Sequence, residues 1–276
     1  YHPVHYGEAQ WLLDQSKRII NLAQGLEQYL LERLERESGR SLKEIKNKDL
    51  TYASFYELLY YPAVASMNQI QMQLSGGRNL LYARQGRIEA NEYAAAVLKC
   101  IEREKELQQI YHSIADSKWD GMMMSEHVGF VHWNDEECTY PLQCYVTPAN
   151  KPRMIVAPAC GEEYTMGGDW TRKTIYLEDF LNPKCTEISL DIANGGRVPF
   201  TYTAECDADW VVLSQTKGEV LVTDKLLLTI DRKNLSGISG IQTAHLCIKT
   251  DFAKVNVEIS GCDYKEEVLQ DKHYVP

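Results

Sequence analysis

Three arginines within ten residues, Arg78, Arg84 and Arg87, are the side chains best suited to hold an anion. A guanidinium presents a planar fork of N–H donors that matches a carboxylate in a bidentate pair, so the trio is a candidate site for a carboxylate-bearing ligand. The competing role is structural, in which such arginines form ion pairs that lock one domain to its neighbour. Aromatic rings offer a second chemistry, stacking on the flat face of a ring-shaped ligand. Trp119 and Trp133 lie close in sequence to His127 and His132, and Trp170 follows Gly167, Gly168 and Asp169. Trp170 is the candidate for an exposed contact, because loops carry much of binding. Trp210 opens a strand pattern and fits a buried aromatic, while Tyr164 and Tyr176 stay candidates if exposed. With no third ligand nearby, His127 and His132 read as hydrogen-bonded loop anchors rather than a metal site. Met122, Met123 and Met124 read as gap-fillers between the domains.

Hydrolysis of a glycosidic bond would need two carboxyl groups opposed across a sugar ring. The helical acids Glu32, Glu35, Glu102, Glu104 and Glu106 sit among Lys and Arg, as on a solvated helix face. There is no Ser-His-Asp order, phosphate-cradling loop or dinucleotide fingerprint. No catalytic residue is assigned, and neither a cofactor nor a metal is expected. The eight cysteines follow no zinc or redox spacing, and the sequence leaves open whether they pair.

The 276 residues are 44% hydrophobic and 25% charged, with a formal net charge of -10. That composition is globular, and the acidic balance argues against nucleic-acid or anionic-membrane partners, which select basic surfaces. Neither a signal peptide nor an apolar run near the ~20 residues of a membrane span is present, and the ends read as boundaries within a longer polypeptide.

Apolar residues recur at helical spacing from Glu8 to about Ser38, through Trp11, Leu12, Ile19, Leu22, Ala23, Leu26, Tyr29, Leu30 and Leu34. Arg40 to Asp49 reads as a loop or frayed short helix. A second helix is expected from an N-cap at Thr51, through Leu59 and a bend at Pro62, to Gln85, with Gly76 and Gly77 marking either its end or a close backbone approach. A third runs from Glu89 to Ser117, with Leu98, Leu107 and Ile110 among its inward residues. After Trp133, prolines and short alternating runs replace the helical pattern, beginning at Met154, Thr174, Glu187, Pro199, Trp210, Leu226, Ala244 and Lys254, with turns at Asn194-Gly195-Gly196 and Lys217-Gly218. The fold class is α+β multidomain: an antiparallel three-long-helix bundle followed by an immunoglobulin-like β-sandwich. The expected divisions are 1–135 bundle, 136–152 proline-containing linker, 153–264 sandwich and 265–276 tail.

Two segments carry a family resemblance. Arg78, Asn79, Leu81, Tyr82, Ala83, Arg84, Gln85, Gly86 and Arg87, then Ser117, Lys118, Trp119, Met122, Met123, His127, Gly129, Phe130 and Trp133, resemble the helical region of glycoside hydrolase family 115, the xylan α-1,2-glucuronidases. Phe130 stands where the family has Tyr, and Asp135-Glu136-Glu137 replaces its proline-rich turn. The segment Pro199 to Val220 is similar to the family's first sandwich after the bundle. The resemblance covers roughly residues 50 to 260. It implies a non-catalytic, carboxy-proximal portion of a secreted or periplasmic enzyme, with the catalytic barrel upstream of Tyr1. The implied partners are that catalytic domain, a homodimer mate, and xylan or glucuronoxylan. An alternative is a carbohydrate-binding module acting through the sandwich. The substrate or interface candidates are Arg78, Arg84, Arg87, Trp119, His127, Trp133 and Trp170, with the arginines suited to a uronate carboxylate.

Overall fold

The computed structural model describes residues 6–122, 128, 139–167 and 174–263. The chain forms two compact units. One comprises Tyr1–Leu80 and Glu92–Cys144, the other Leu81–Asn91 and Tyr145–Pro276. The helical unit is therefore interrupted by eleven residues that fold with the strands.

In the helical unit, α1 (Tyr6–Ser38) is followed by α2 (Leu42–Lys48), α3 (Leu50–Phe55), a π-helical turn (Tyr56–Tyr60), α4 (Tyr61–Arg84) and α5 (Ala90–Ser117). Helix α2 starts at Ser41, whose hydroxyl accepts from Glu44 N–H while the Glu44 carboxylate accepts from Ser41 N–H, a reciprocal pair that satisfies two otherwise orphaned amides. Asp49, rather than Thr51, caps α3, because its carboxylate accepts from both Thr51 N–H (2.9 Å) and Tyr52 N–H (3.1 Å). Burial alone would raise the Asp49 carboxyl, but the Tyr52 amide, the Arg40 guanidinium and the Thr51 amide outweigh it and hold it below the usual carboxylate range. Asp49→Ala is expected to cost about 1 kcal/mol at neutral pH. The folded-state pKa is depressed, so that contribution is present above the ordinary Asp value of about 3.9 and fades as pH falls through the folded value. Urea melts of Asp49→Ala and parent at pH 7 and pH 3 would measure both the deficit and its loss.

The π-turn ends at Tyr60, two residues before Pro62, which has no N–H and whose ring crowds the turn behind it. Widening that turn relieves the conflict, so the irregularity expected at Pro62 takes the form of a π-turn. Beyond it α4 runs through Gly76 and Gly77 to Arg84. At Gly76 a Cβ would stand 2.7 Å from Pro141 Cβ, which makes that glycine a close approach rather than a helix end.

The core of this unit joins Ile20, Ala23 and Leu31 of α1, Ile45, a run of tyrosines (Tyr52, Tyr56, Tyr60, Tyr61), Val64, and Leu107, Tyr111 and Ile114 of α5. The Tyr56 and Tyr60 rings stack at 5.1 Å, and Tyr61 meets Tyr111 at 4.9 Å. Several residues expected inside are exposed instead: Trp11, Leu22, Leu26 and Tyr29 on α1, Leu59, Leu98 and Ile110. Apolar residues stand on both sides of α1, and the core takes only the side bearing Ile20, Ala23 and Leu31. Glu104, expected on a solvated face, is buried.

The second unit is a sandwich. One antiparallel sheet has the order β1-β3-β7-β5, built from β1 (Met154–Pro158), β3 (Glu187–Asn194), β7 (Thr223–Ile230) and β5 (Val211–Leu213). The other has the order β2-β9-β8-β4-β6, from β2 (Ile175–Leu177), β9 (Lys254–Gly261), β8 (Gln242–Lys249), β4 (Phe200–Cys206) and β6 (Lys217–Val220), with β2 parallel to β9. Side-chain alternation places Ile188, Leu190 and Ile192 of β3 and Leu226, Leu228 and Ile230 of β7 against Ala244, Leu246 and Ile248 of β8 and Val255, Val257 and Ile259 of β9. Trp210 is buried among them, in agreement with the sequence. Strand β6, where the sequence suggests only a turn, is a short polar edge strand held by its pairing with β4. Arg232 ties the unit's periphery, donating to the carbonyls of Phe180, Asn182, Cys185 and Cys262. The described cysteines 100, 144, 160, 185, 206, 247 and 262 are all free thiols.

Candidate functional site

In β3 the residues that alternate with the core-facing set should face solvent, yet Asp191 and Ala193 are buried. A carboxylate in mid-strand survives burial only when it is paired and hydrogen-bonded. The eleven-residue segment Leu81–Asn91 supplies the partner. Arg87, only 1% exposed, donates from Nη2 to Asp191 Oδ2 at 3.0 Å and also to Glu89 Oε2. Glu89 in turn accepts from the Thr223 hydroxyl of β7 at 2.7 Å. The Arg87 guanidinium carbon lies 3.7 Å from the centroid of the Tyr82 ring, and Nη1 donates to Gln85 Oε1 at 3.3 Å. Gln85 Nε2 donates to the Gly161 carbonyl at 2.8 Å, and Ile88 N–H donates to the Asn194 carbonyl at 3.0 Å.

The electrostatics follow from one cation facing two acids in a dry site. Burial pushes the Asp191 carboxyl above the usual carboxylate range, and the Arg87 charge only partly offsets it while Glu89 adds to it. Burial works against the Arg87 charge too, but Asp191 and Glu89 outweigh it, and Arg87 stays protonated. Burial likewise raises the Tyr82 phenol. Chemically the arrangement is an ion triad with no open donor edge toward solvent: the guanidinium that would seize a ligand's carboxylate holds two of the protein's own.

The other two arginines have separate environments. Arg78 is buried in the helical unit, with its guanidinium 5.7 Å from the Tyr93 ring centroid and Nη1 3.4 Å from the Tyr93 hydroxyl. Arg84 is exposed in the last turn of α4, where a cation complements the helix macrodipole. Trp119 is half-buried against the helical core, with Lys118 Nζ 5.2 Å from its ring centroid. His127, Trp133 and Trp170, with His132, Met123 and Met124, lie outside the described residues.

Two asparagines of the same stretch act as backbone clamps. Asn79 donates to the Cys144 carbonyl and accepts from Cys144 N–H, each at 2.8 Å. Asn91 does the same with Val146, at 3.0 and 2.8 Å. A carboxamide paired with both groups of one residue completes a backbone that no strand partner satisfies.

Of the exposed aromatic candidates, Tyr176 is the one on a sheet face. It opposes Glu258 in the β2–β9 register, Glu258 opposes His245 in the β9–β8 register, and His245 Nδ1 lies 2.8 Å from Asp207 Oδ2. Sequence reasoning missed Asp191 and Glu89. The available signal was an acid inside the otherwise apolar β3 run, which calls for a basic partner somewhere in the chain.

No family model matches the sequence, and no curated protein matches it. Among solved structures the chain has weak similarity to the Bacteroides ovatus GH5 xyloglucanase in complex with a XXXG heptasaccharide, with 11% identity over 40% of this chain and 19% of that one at a TM-score of 0.26. The chain thus spans about a fifth of that glycoside hydrolase. It is also similar to a FixG-related protein from Vibrio parahaemolyticus (14% identity, 42% of this chain, 99% of that one, TM-score 0.25) and to the D00-D0 domain of intimin (10%, 37%, 57% and 0.24). At TM-scores this low, none of the three bears on what the chain does.

Proposed function

We propose that this chain is a non-catalytic supporting portion of a secreted or periplasmic glycoside hydrolase of the xylan α-1,2-glucuronidase kind, with the enzyme's catalytic domain as its partner. The observation that carries this reading is how the family-like segment is used. Arg87 is enclosed in an ion triad, Gln85 holds a main-chain carbonyl, and Asn79 clamps a peptide unit. Those groups organise the fold, as scaffold residues do, and leave the chemistry to another domain. Incubated with 4-O-methylglucuronoxylan oligosaccharides, the 276-residue chain is expected to release no uronic acid. Turnover that survives purification to homogeneity would overturn the reading.

The position of Tyr176 favours a second reading, carbohydrate binding through the five-stranded sheet. An exposed phenol beside Glu258 and the His245–Asp207 pair provides a stacking ring next to hydrogen-bonding groups. On this reading, glucuronoxylan retards the chain in affinity electrophoresis and Tyr176→Ala abolishes the retardation. Equal mobility with and without the polysaccharide removes it.

A further inference from the structure

Helix α5 ends on a reversal. Its last three residues, Ala115, Asp116 and Ser117, hold φ of 52°, 54° and 61°, a left-handed conformation that L side chains seldom take in succession. The chain then closes short turns, with Lys118 N–H donating to the Ala115 carbonyl at 3.2 Å and Asp120 N–H to the Ser117 carbonyl at 3.1 Å. Gly121 follows at φ 79°, a conformation that suits a residue without Cβ. The reversal brings this turn back against the helix: Gly121 N–H donates to His112 Nδ1 at 3.3 Å, and Asp120 Oδ1 lies 3.6 Å from the same nitrogen. The Asp120 side chain is 74% exposed, so water reaches it.

We propose that Asp120 is a self-modification site, where the Gly121 nitrogen closes on the aspartate carboxyl and His112 relays the proton, converting Asp120 to isoaspartate. In the closing step Gly121 N attacks Cγ of the Asp120 carboxylic acid: the N–Cγ bond forms and the Cγ–Oδ1 bond breaks. The amide proton passes to His112 Nδ1 and on to the departing oxygen, so one water leaves, a cyclic imide remains, and nothing is oxidised or reduced. Water then opens the ring. Attack at Cγ regenerates aspartate, whereas attack at the Asp120 main-chain carbonyl leaves the chain running through Cβ and Cγ, which is isoaspartate. The difficult parts of the closure are removing an amide proton and expelling an oxygen, and one imidazole nitrogen faces both. Because Nδ1 accepts from the amide, its lone pair points at the proton that has to move. Asn194-Gly195, the other dipeptide in the sequence able to close such a ring, shows the contrast. There Asn194 is buried, its Oδ1 accepts from Gly196 N–H at 2.7 Å, and Gly195 N–H donates to the Arg153 carbonyl at 2.9 Å. Both reacting groups are held elsewhere.

The 276-residue chain, aged at neutral pH over weeks, tests this by labelling with a protein isoaspartyl methyltransferase and by peptide mass spectrometry that locates the label. In the folded chain label is expected to accumulate at Asp120 and not at Asn194. Asp120→Glu removes it, because the longer side chain closes the ring poorly. His112→Gln keeps an acceptor for the Gly121 amide but cannot relay a proton, and it slows labelling by about 10-fold or more at an unchanged melting temperature. In urea, where the turn is lost, labelling at Asp120 slows and labelling at Asn194 begins. An aged parent chain without label at Asp120 overturns the proposal. So does a His112→Gln chain labelled as fast as the parent, or a urea-unfolded chain labelled at Asp120 as fast as the folded one.

Discussion

Replacing Arg87 by Met should be the most damaging single change in the strand-bearing unit. It leaves Asp191 with no counter-charge in a site where both the arginine and the aspartate are 1% exposed, and Glu89 with only the Thr223 hydroxyl. Breaking a buried ion pair by removing one partner typically costs about 3–5 kcal/mol, because the stranded charge cannot reach water. The guanidinium's contact with the Tyr82 ring is lost as well. Chemical denaturation followed by Trp210 fluorescence would measure the deficit. A variant within about 1 kcal/mol of the parent would show that the triad is not buried as described.

The sign of the pH dependence gives an independent check on the same change. The Asp191 carboxyl has a raised folded-state pKa, so its contribution to stability is greatest below the ordinary Asp value and is lost as pH rises through the folded value. Without the Arg87 charge that partly offsets burial, the Asp191 carboxyl is pushed further in the same direction. The Arg87→Met deficit is therefore largest at neutral pH and shrinks on acidification because the stranded Asp191 is neutralised, whereas the Asp49→Ala deficit shrinks in the same direction because the parent's own cap is protonated. Arg87 Nε and Asp191 Oδ1 make no hydrogen bond, so the triad is imperfectly satisfied even when intact. Replacing the whole triad, with Arg87→Met, Glu89→Met and Asp191→Leu combined, is accordingly expected to recover most of the loss.

How much of this was legible in the sequence depended on the range of the cause. Local patterns came through: the period-3.6 stripes of α1 and α5, the alternating strands β4, β8 and β9, and the buried Trp210 all reflect neighbours within a few residues. The α3 cap was misplaced because Asp49 and Thr51 are both good N-cap residues, and only the two amide bonds to Asp49 decide between them. Helix α1 carries apolar residues on two sides, and periodicity detects the stripes without saying which one the core takes. Strand β6 is four residues long, three of them polar or glycine, and its existence rests on its partner β4. The Arg87–Asp191 pair joins residues 104 positions apart, beyond any spacing rule. That distance is why an arginine suited to a ligand's carboxylate was indistinguishable, in sequence, from one committed to the protein's own.

Trp210→Ala is the second large effect, and it separates the sandwich core from the ion triad on the sheet's outer face. The indole is buried, and a Cβ built on Gly261 would approach its Cζ3 atom to 2.7 Å, so the ring packs flush against the end of β9 where only glycine leaves room. Truncation removes those contacts and opens a cavity that two hydrogen-bonded sheets cannot readily close, at a cost of about 3–5 kcal/mol. Because no titratable group is involved, the deficit should be the same at pH 5 and pH 8, unlike that of Arg87→Met. Gly261→Ala should destabilise the parent by forcing the ring off its position, yet cost little on top of Trp210→Ala, where its methyl has a void to occupy. A thermodynamic cycle over these two substitutions, read by circular dichroism melts, is expected to show strongly non-additive coupling. Simple additivity would mean that the Trp210 ring does not pack on Gly261.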